Sequence, residues 1–243
     1  MKSTFGGFPK EMQTFFRGLR QHNNRDWFEA HRETYERCVK APMEELTVQV
    51  MVALVRFAPD YAGQPKKAIF RLHRDTRFSN DKTPYKTHTG ALLRRADLPK
   101  NEAAGFYFAV SDRCVEVAGG CYMPMPEQLR LIRAHIAENG PRFLKLIHNR
   151  ALAAALGELQ GERLSRPPKG YCAEMPGVEP VLEYLKFKQW YHYAELDAGL
   201  ALSGDIVEAV VSRFRKAAPV VDFLNEPLLA SARRNAPLTT GWF

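Results

Sequence analysis

Phe106-Tyr107-Phe108-Ala109-Val110-Ser111-Asp112-Arg113-Cys114-Val115-Glu116-Val117-Ala118 is the stretch on which the fold turns. Two runs rich in aromatic and β-branched residues flank Ser111-Asp112-Arg113, which predicts a β-hairpin with a three-residue loop. Gly119-Gly120 follows directly and marks a bulge or a close approach of backbone. Upstream, Ala68 to Phe78 has β-type patches, and Thr87 to Leu93 resumes extended chain after a turn. Downstream, Phe187 to Ala194 is aromatic and strand-like.

On either side of this region the period changes from two to that of helices. Met12, Phe15, Phe16 and Leu19 share one face of an amphipathic helix, with Pro9 ahead of it. Asn23 and Asn24 are cap candidates for a second helix running through Trp27, His31 and Tyr35 to Cys38. Pro42 opens a third, with Leu46, Val50, Leu54 and Phe57 inward, closed by Pro59 and Gly63-Gln64-Pro65. After the hairpin, Pro126 begins a helix that stops at Asn139-Gly140, and Pro141 begins another with Phe143, Leu144 and Ile147 inward. Gly161 to Pro180 reads as an irregular connection, and Val181 to Leu185 as a short helix. Ser203 caps a helix with Ile206, Val210 and Phe214, and Pro219 starts a separate short one. Helices grouped before and after a strand cluster predict an α+β fold: a mainly antiparallel sheet covered by N- and C-terminal helices, in a single domain over 1–243.

The chain has 243 residues, 45% hydrophobic, with 35 Lys+Arg against 27 Asp+Glu for a net charge of +8. That apolar content excludes a disordered tail protein. No run is long and apolar enough to span a bilayer, and no secretory leader is legible. The four cysteines, Cys38, Cys114, Cys121 and Cys172, have neither CxxC nor zinc spacing, so reduced thiols in a cytoplasmic protein are expected.

The charge is concentrated. Between Lys66 and Lys100 ten basic residues face three acids, Asp75, Asp81 and Asp97, which leaves this window with +7 of the total +8. A concentrated basic segment attracts anions. If Arg71 to Arg77 is extended, Arg71, His73, Asp75 and Arg77 share one face, and Leu72, Arg74, Thr76 and Phe78 the other. Ser79-Asn80-Asp81 has turn chemistry, and Pro84 makes the chain re-emerge extended. Arg71, Arg74, Arg77, Lys82 and Lys86 would then converge on one concavity with Tyr85, a setting suited to phosphate or carboxylate.

At Arg71, Arg74-Asp75, Arg77-Phe78-Ser79, Asp81-Lys82 and Pro84-Tyr85-Lys86 the chain resembles a widespread bacterial and fungal family of conserved hypothetical proteins, a domain of unknown function. A second likeness lies in Arg166-Pro167-Pro168-Lys169-Gly170-Tyr171 and Leu185-Lys186-Phe187-Lys188. The resemblance runs from Phe8-Pro9 to the C-terminal helices. It implies a fold and a marked segment, and no activity.

Three roles for the segment remain open. It binds a phosphate-bearing or other polyanionic ligand, a phosphorylated small molecule or a nucleic acid, through Arg71, Arg74, Arg77, Lys82, Tyr85 and Lys86. Alternatively, Asp75 or Asp81 is the general base of a metal-independent enzyme, with Tyr85 or His88 as proton donor. In the third, the acids pair with the arginines as a structural or partner-binding network, with Phe78 and Tyr85 in the core. A metal site from His73, Asp75 and His88 is weaker than ordinary histidines, because the chain has neither HxxxH nor HExxH, and no metal or cofactor is expected. The glycine pairs lack phosphate-loop spacing, and no GxSxG elbow is present. Phe187, Trp190, Tyr191 and Tyr193 beside Lys186 and Lys188 fit base stacking, or more simply a core strand with a wet face.

Overall fold

The computed structural model describes residues 4–77, 79–98 and 103–235. Phe78 and Lys100, and with them the expected burial of Phe78, lie outside the described residues.

The N-terminal layer is helical: α1 (Glu11–Gln21), α2 (Arg25–Ala30), α3 (Arg32–Tyr35) and α4 (Ala41–Leu54). Met12, Phe15, Phe16 and Leu19 form the buried face of α1, as their spacing predicts. Asn24 caps α2, its side-chain oxygen accepting the Trp27 N–H at 2.9 Å. The expected break before Pro42 is absent. A wide turn, Glu36–Lys40, in which the Ala41 N–H bonds the Glu36 carbonyl, joins α3 to α4 without interruption. Pro42 has no N–H to donate, and a wide turn lets a helix pass such a position. A further short helix, α5 (Pro65–Ala68), precedes the basic segment.

The sheet is β1 (Thr89–Arg94), β2 (Gly105–Val110), β3 (Cys114–Cys121) and later β4 (Trp190–Asp197), antiparallel in the order β1-β2-β3-β4. The predicted hairpin is present, with Val110 opposite Val115. Its loop is held by the Ser111 hydroxyl oxygen, which accepts the N–H groups of Arg113 and Cys114 at 3.1 Å each. Ala68 to Phe78 does not form a strand among the described residues. It meets β1 where Ile69 pairs with Ala91 and the Phe70 N–H donates to the Gly90 carbonyl at 2.9 Å, while His73 pairs with Tyr85 inside the segment itself. Local side-chain bonds compete for its backbone, and Pro84 offers no N–H to a ladder.

Between β3 and β4 lie α6 (Pro126–Glu138), α7 (Gly140–Ile147), α8 (Arg150–Leu156) and α9 (Leu182–Leu185). α8 is an element the sequence reading lacks, capped by Asn149, which accepts the N–H groups of Ala151 and Leu152. The C-terminal helix α10 (Ile206–Asn235) continues through Pro219, where a new helix was expected, and through Pro227. Phe214, Ala217, Val220, Val221, Phe223 and Leu224 are all buried across the first proline. Each large apolar side chain buried contributes about 1.5–3 kcal/mol, against about 3 kcal/mol for an interior proline.

The packing of α10 on β3 divides the sheet into two faces. Val115, Val117 and Cys121 are buried; Cys114, Glu116 and Ala118 alternate with them and are half-exposed. Gly119 is the point of contact, since a Cβ there would lie 2.6 Å from the Ala217 Cβ. Gly120 has φ 143°, and a Cβ on it would lie 2.2 Å from the Trp190 carbonyl oxygen, so the glycine pair marks close backbone approach. Buried residues from both helical layers and the sheet form one contiguous cluster. Among the described residues no helix is long and apolar enough to cross a membrane.

Candidate functional site

The basic segment lies along the free edge of β1. Its two arms are clipped together by two backbone bonds, Arg74 N–H to the Pro84 carbonyl at 2.8 Å and Lys86 N–H to the Leu72 carbonyl at 2.9 Å. The predicted alternation holds in outline: Arg71, His73, Asp75 and Arg77 are exposed, Leu72 is buried, and Arg74 and Thr76 are half-buried. Tyr85 is buried, its ring stacked on Phe28 at 4.4 Å. Its N–H and carbonyl both bond the side chain of Asn23, at 3.0 and 2.9 Å. Asn23 thus stands where a neighbouring strand would, and it fixes the height of Lys86 and His88 beside it.

Two carboxylates organise the loop. Asp75 accepts from the Arg77 backbone N–H at 3.2 Å and from its guanidinium at 3.0 and 2.7 Å. Asp81 accepts the Thr83 N–H at 2.9 Å and hydroxyl at 2.8 Å, and pairs with Arg74, which also donates to the Thr83 hydroxyl oxygen at 2.6 Å. Lys82 folds back onto the Thr76 carbonyl at 2.9 Å. These donors hold both carboxyls at about 2, the guanidinium bonds of Arg77 and Arg74 being the largest cause in each case. Both carboxylates are engaged by guanidinium donors, and groups this acidic make poor general bases near neutral pH.

An open cleft of about 620 Å³ lies against this loop. Arg74, Lys86 and His88 line it with Asp75, Asp81 and Thr83 from the segment, and Arg20 and Asn23 join from the end of α1. Arg20 makes a two-pronged contact with Asp112 of the hairpin loop, at 2.7 and 2.9 Å, which ties α1 to the sheet. Of the expected ligand-binding set, the cleft brings together Arg74, Tyr85 and Lys86; Arg71, Arg77 and Lys82 are not among its lining residues. Arg20, Asn23 and Thr83 were missed by sequence reasoning. Asn23 was legible only as a cap candidate, because its bonds to Tyr85 span 62 residues.

Lys86 is half-buried, whereas Arg71 and Lys82, which likewise make no ion pair among the described residues, are exposed. The Lys86 ammonium lies over the Phe70 ring at 4.8 Å. Burial, and then the charges of Arg71 and Arg74, push its pKa below the ordinary lysine value. His88 is also pushed down, chiefly by burial, which favours a neutral imidazole at neutral pH. His73, Asp75 and His88 do not gather as a metal site among the described residues. The group with ligand-like spacing is Cys114, Glu116 and Glu195 on the exposed sheet face. No disulfide joins the four cysteines.

These features define an α+β protein whose ion-paired edge loop walls an open, partly basic cleft. The chain belongs to the family described as conserved hypothetical protein (DUF2461), whose model matches residues 11–223. No curated protein and no solved structure matches the chain.

Proposed function

We propose that the cleft binds a small phosphate-bearing ligand through Lys86, with Arg74 and the nearby Arg71 in support. The observation that carries this reading is the half-buried Lys86 ammonium, which makes no ion pair among the described residues and is repelled by two arginines. A native state that holds a charge in this way gains stability when an anion arrives. A long polyanion fits less well, because Arg74, Arg77 and Arg95 are each held by carboxylates and the basic run presents no continuous track. The structural reading accounts for the Arg74–Asp81 and Arg77–Asp75 pairs but leaves Lys86, which rests on the Phe70 ring, with no counter-charge among the described residues. We propose a cytoplasmic setting, which suits four cysteines without a disulfide, and a single folding unit, in keeping with the contiguous core.

The test is calorimetric titration with inorganic pyrophosphate and a sugar phosphate at fixed ionic strength, on the wild type and Lys86→Met. Loss of one charge-assisted hydrogen bond weakens binding by about ten- to a hundredfold. Lys86→Met removes a disfavoured charge, so its melting temperature should hold or rise without ligand. Equal phosphate affinity in a folded Lys86→Met protein would sink the proposal.

A further inference from the structure

The sheet face turned away from α10 meets the cleft at Lys86 and changes character away from it. Lys86 lies over the Phe70 ring at 4.8 Å, Phe70 meets Tyr107 at 6.3 Å between ring centroids, and the Tyr107 hydroxyl donates to Glu116 at 3.1 Å. A cation, two rings and a carboxylate therefore follow one another across the exposed face. Phe70 is 40% exposed, and Tyr107 and Glu116 are half-exposed. Small residues keep the surface between them low: Gly90 pairs with Ala109, and Ala109 with Glu116. Tyr193 lies opposite Ala118, next along the row from Tyr107.

The carboxylate end has a demand of its own. Glu116 and Glu195 face each other in register across β3 and β4. Like charges placed so are destabilising. Tyr193 donates to Glu195 at 2.8 Å as Tyr107 does to Glu116, which leaves one oxygen of each carboxylate without a hydrogen-bond donor among the described residues. These oxygens can accept from an amino group and would repel a phosphate.

We infer that the ligand is a nucleotide with an amino-bearing base. Its phosphate sits at Lys86 and Arg74, its base stacks on Phe70 with the tilted Tyr107 ring at its edge, and its amino edge meets Glu116. The inference rests on the phosphate-binding reading above and adds the ligand class. Aromatic rings supply stacking that any base accepts, and the carboxylates select bases that offer an exocyclic amine. Uracil presents its single ring N–H between two carbonyls, which a carboxylate repels. A lone nucleotide fits better than a strand, because Glu116, Glu195 and Asp197 would face the next phosphates.

The experiment compares guanosine, adenosine and uridine monophosphates with ribose phosphate by calorimetry on the wild type, Lys86→Met, Glu116→Gln and Tyr107→Phe. The amino-bearing nucleotides should bind about tenfold or more tighter than uridine monophosphate and ribose phosphate. Glu116→Gln should close that gap and leave ribose phosphate unchanged, while Lys86→Met weakens all four. Should Glu116→Gln fail to fold, the wild-type series and Tyr107→Phe, expected to narrow the same gap, still decide. Equal wild-type affinity for every phosphate overturns the nucleotide inference and leaves the anion site standing. If no phosphate binds, both fall.

Discussion

Asn23→Ala tests how the cleft is held in place. In the wild type the Asn23 amide oxygen accepts the Tyr85 N–H at 3.0 Å, and its amide nitrogen donates to the Tyr85 carbonyl at 2.9 Å. Tyr85 is 3% exposed, so removing the amide leaves a backbone donor and acceptor poorly placed to find water. Two hydrogen bonds at about 1 kcal/mol each, with part of the desolvation penalty, put the loss at about 2–3 kcal/mol. For a chain of this length that lowers the melting temperature by about 4–12 °C. The same bonds set the position of Lys86, one residue on, so phosphate affinity should fall as well, although Asn23→Ala removes no charge. Thermal unfolding followed by near-ultraviolet circular dichroism reads the first effect, and calorimetric titration of the folded variant reads the second. An unchanged melting temperature would show that water replaces the amide at no cost, and the account of Asn23 as a surrogate strand would be refuted. A lowered melting temperature with unchanged affinity would separate stability from positioning and refute the second half alone.

Asp81→Asn should be less stable than the wild type at neutral pH, and the gap should close under acid. The folded-state pKa of Asp81 is depressed to about 2, so its contribution is present above the unfolded value near 4 and is lost as pH falls toward 2. Melting temperatures of both proteins across that range check the sign, and a gap that widens in acid would contradict it. Gly120→Ala should fold poorly or not at all, because the new Cβ meets the Trp190 carbonyl oxygen at 2.2 Å at a φ of 143°. Soluble yield and circular dichroism read the outcome, and a native-like melt would mean that the β3–β4 pairing shifts to make room.

The sequence by itself determined the parts governed by neighbours along the chain. The hairpin at Ser111-Asp112-Arg113 was legible because strand periodicity and turn chemistry lie within a dozen residues of each other. The face of α1, the Asn24 cap and the antiparallel α+β class were legible for the same reason. So was the alternation from Arg71 to Arg77, even though no strand forms there. Tertiary structure decided what depends on distant partners. α10 continues through Pro219 because its buried face outweighs a local helix breaker, and no local rule contains that sum. The partition of the basic segment was equally hidden. Composition counts its charges, but Arg77 is turned onto Asp75, Arg74 onto Asp81 and Lys82 onto the Thr76 carbonyl, while Lys86 is half-buried and makes no ion pair among the described residues. Asn23 and Tyr85 are 62 residues apart, and Arg20 and Asp112 are 92 apart. Phe70, Tyr107 and Glu116 share a surface only through strand register, a long-range property that pairs faces rather than neighbours.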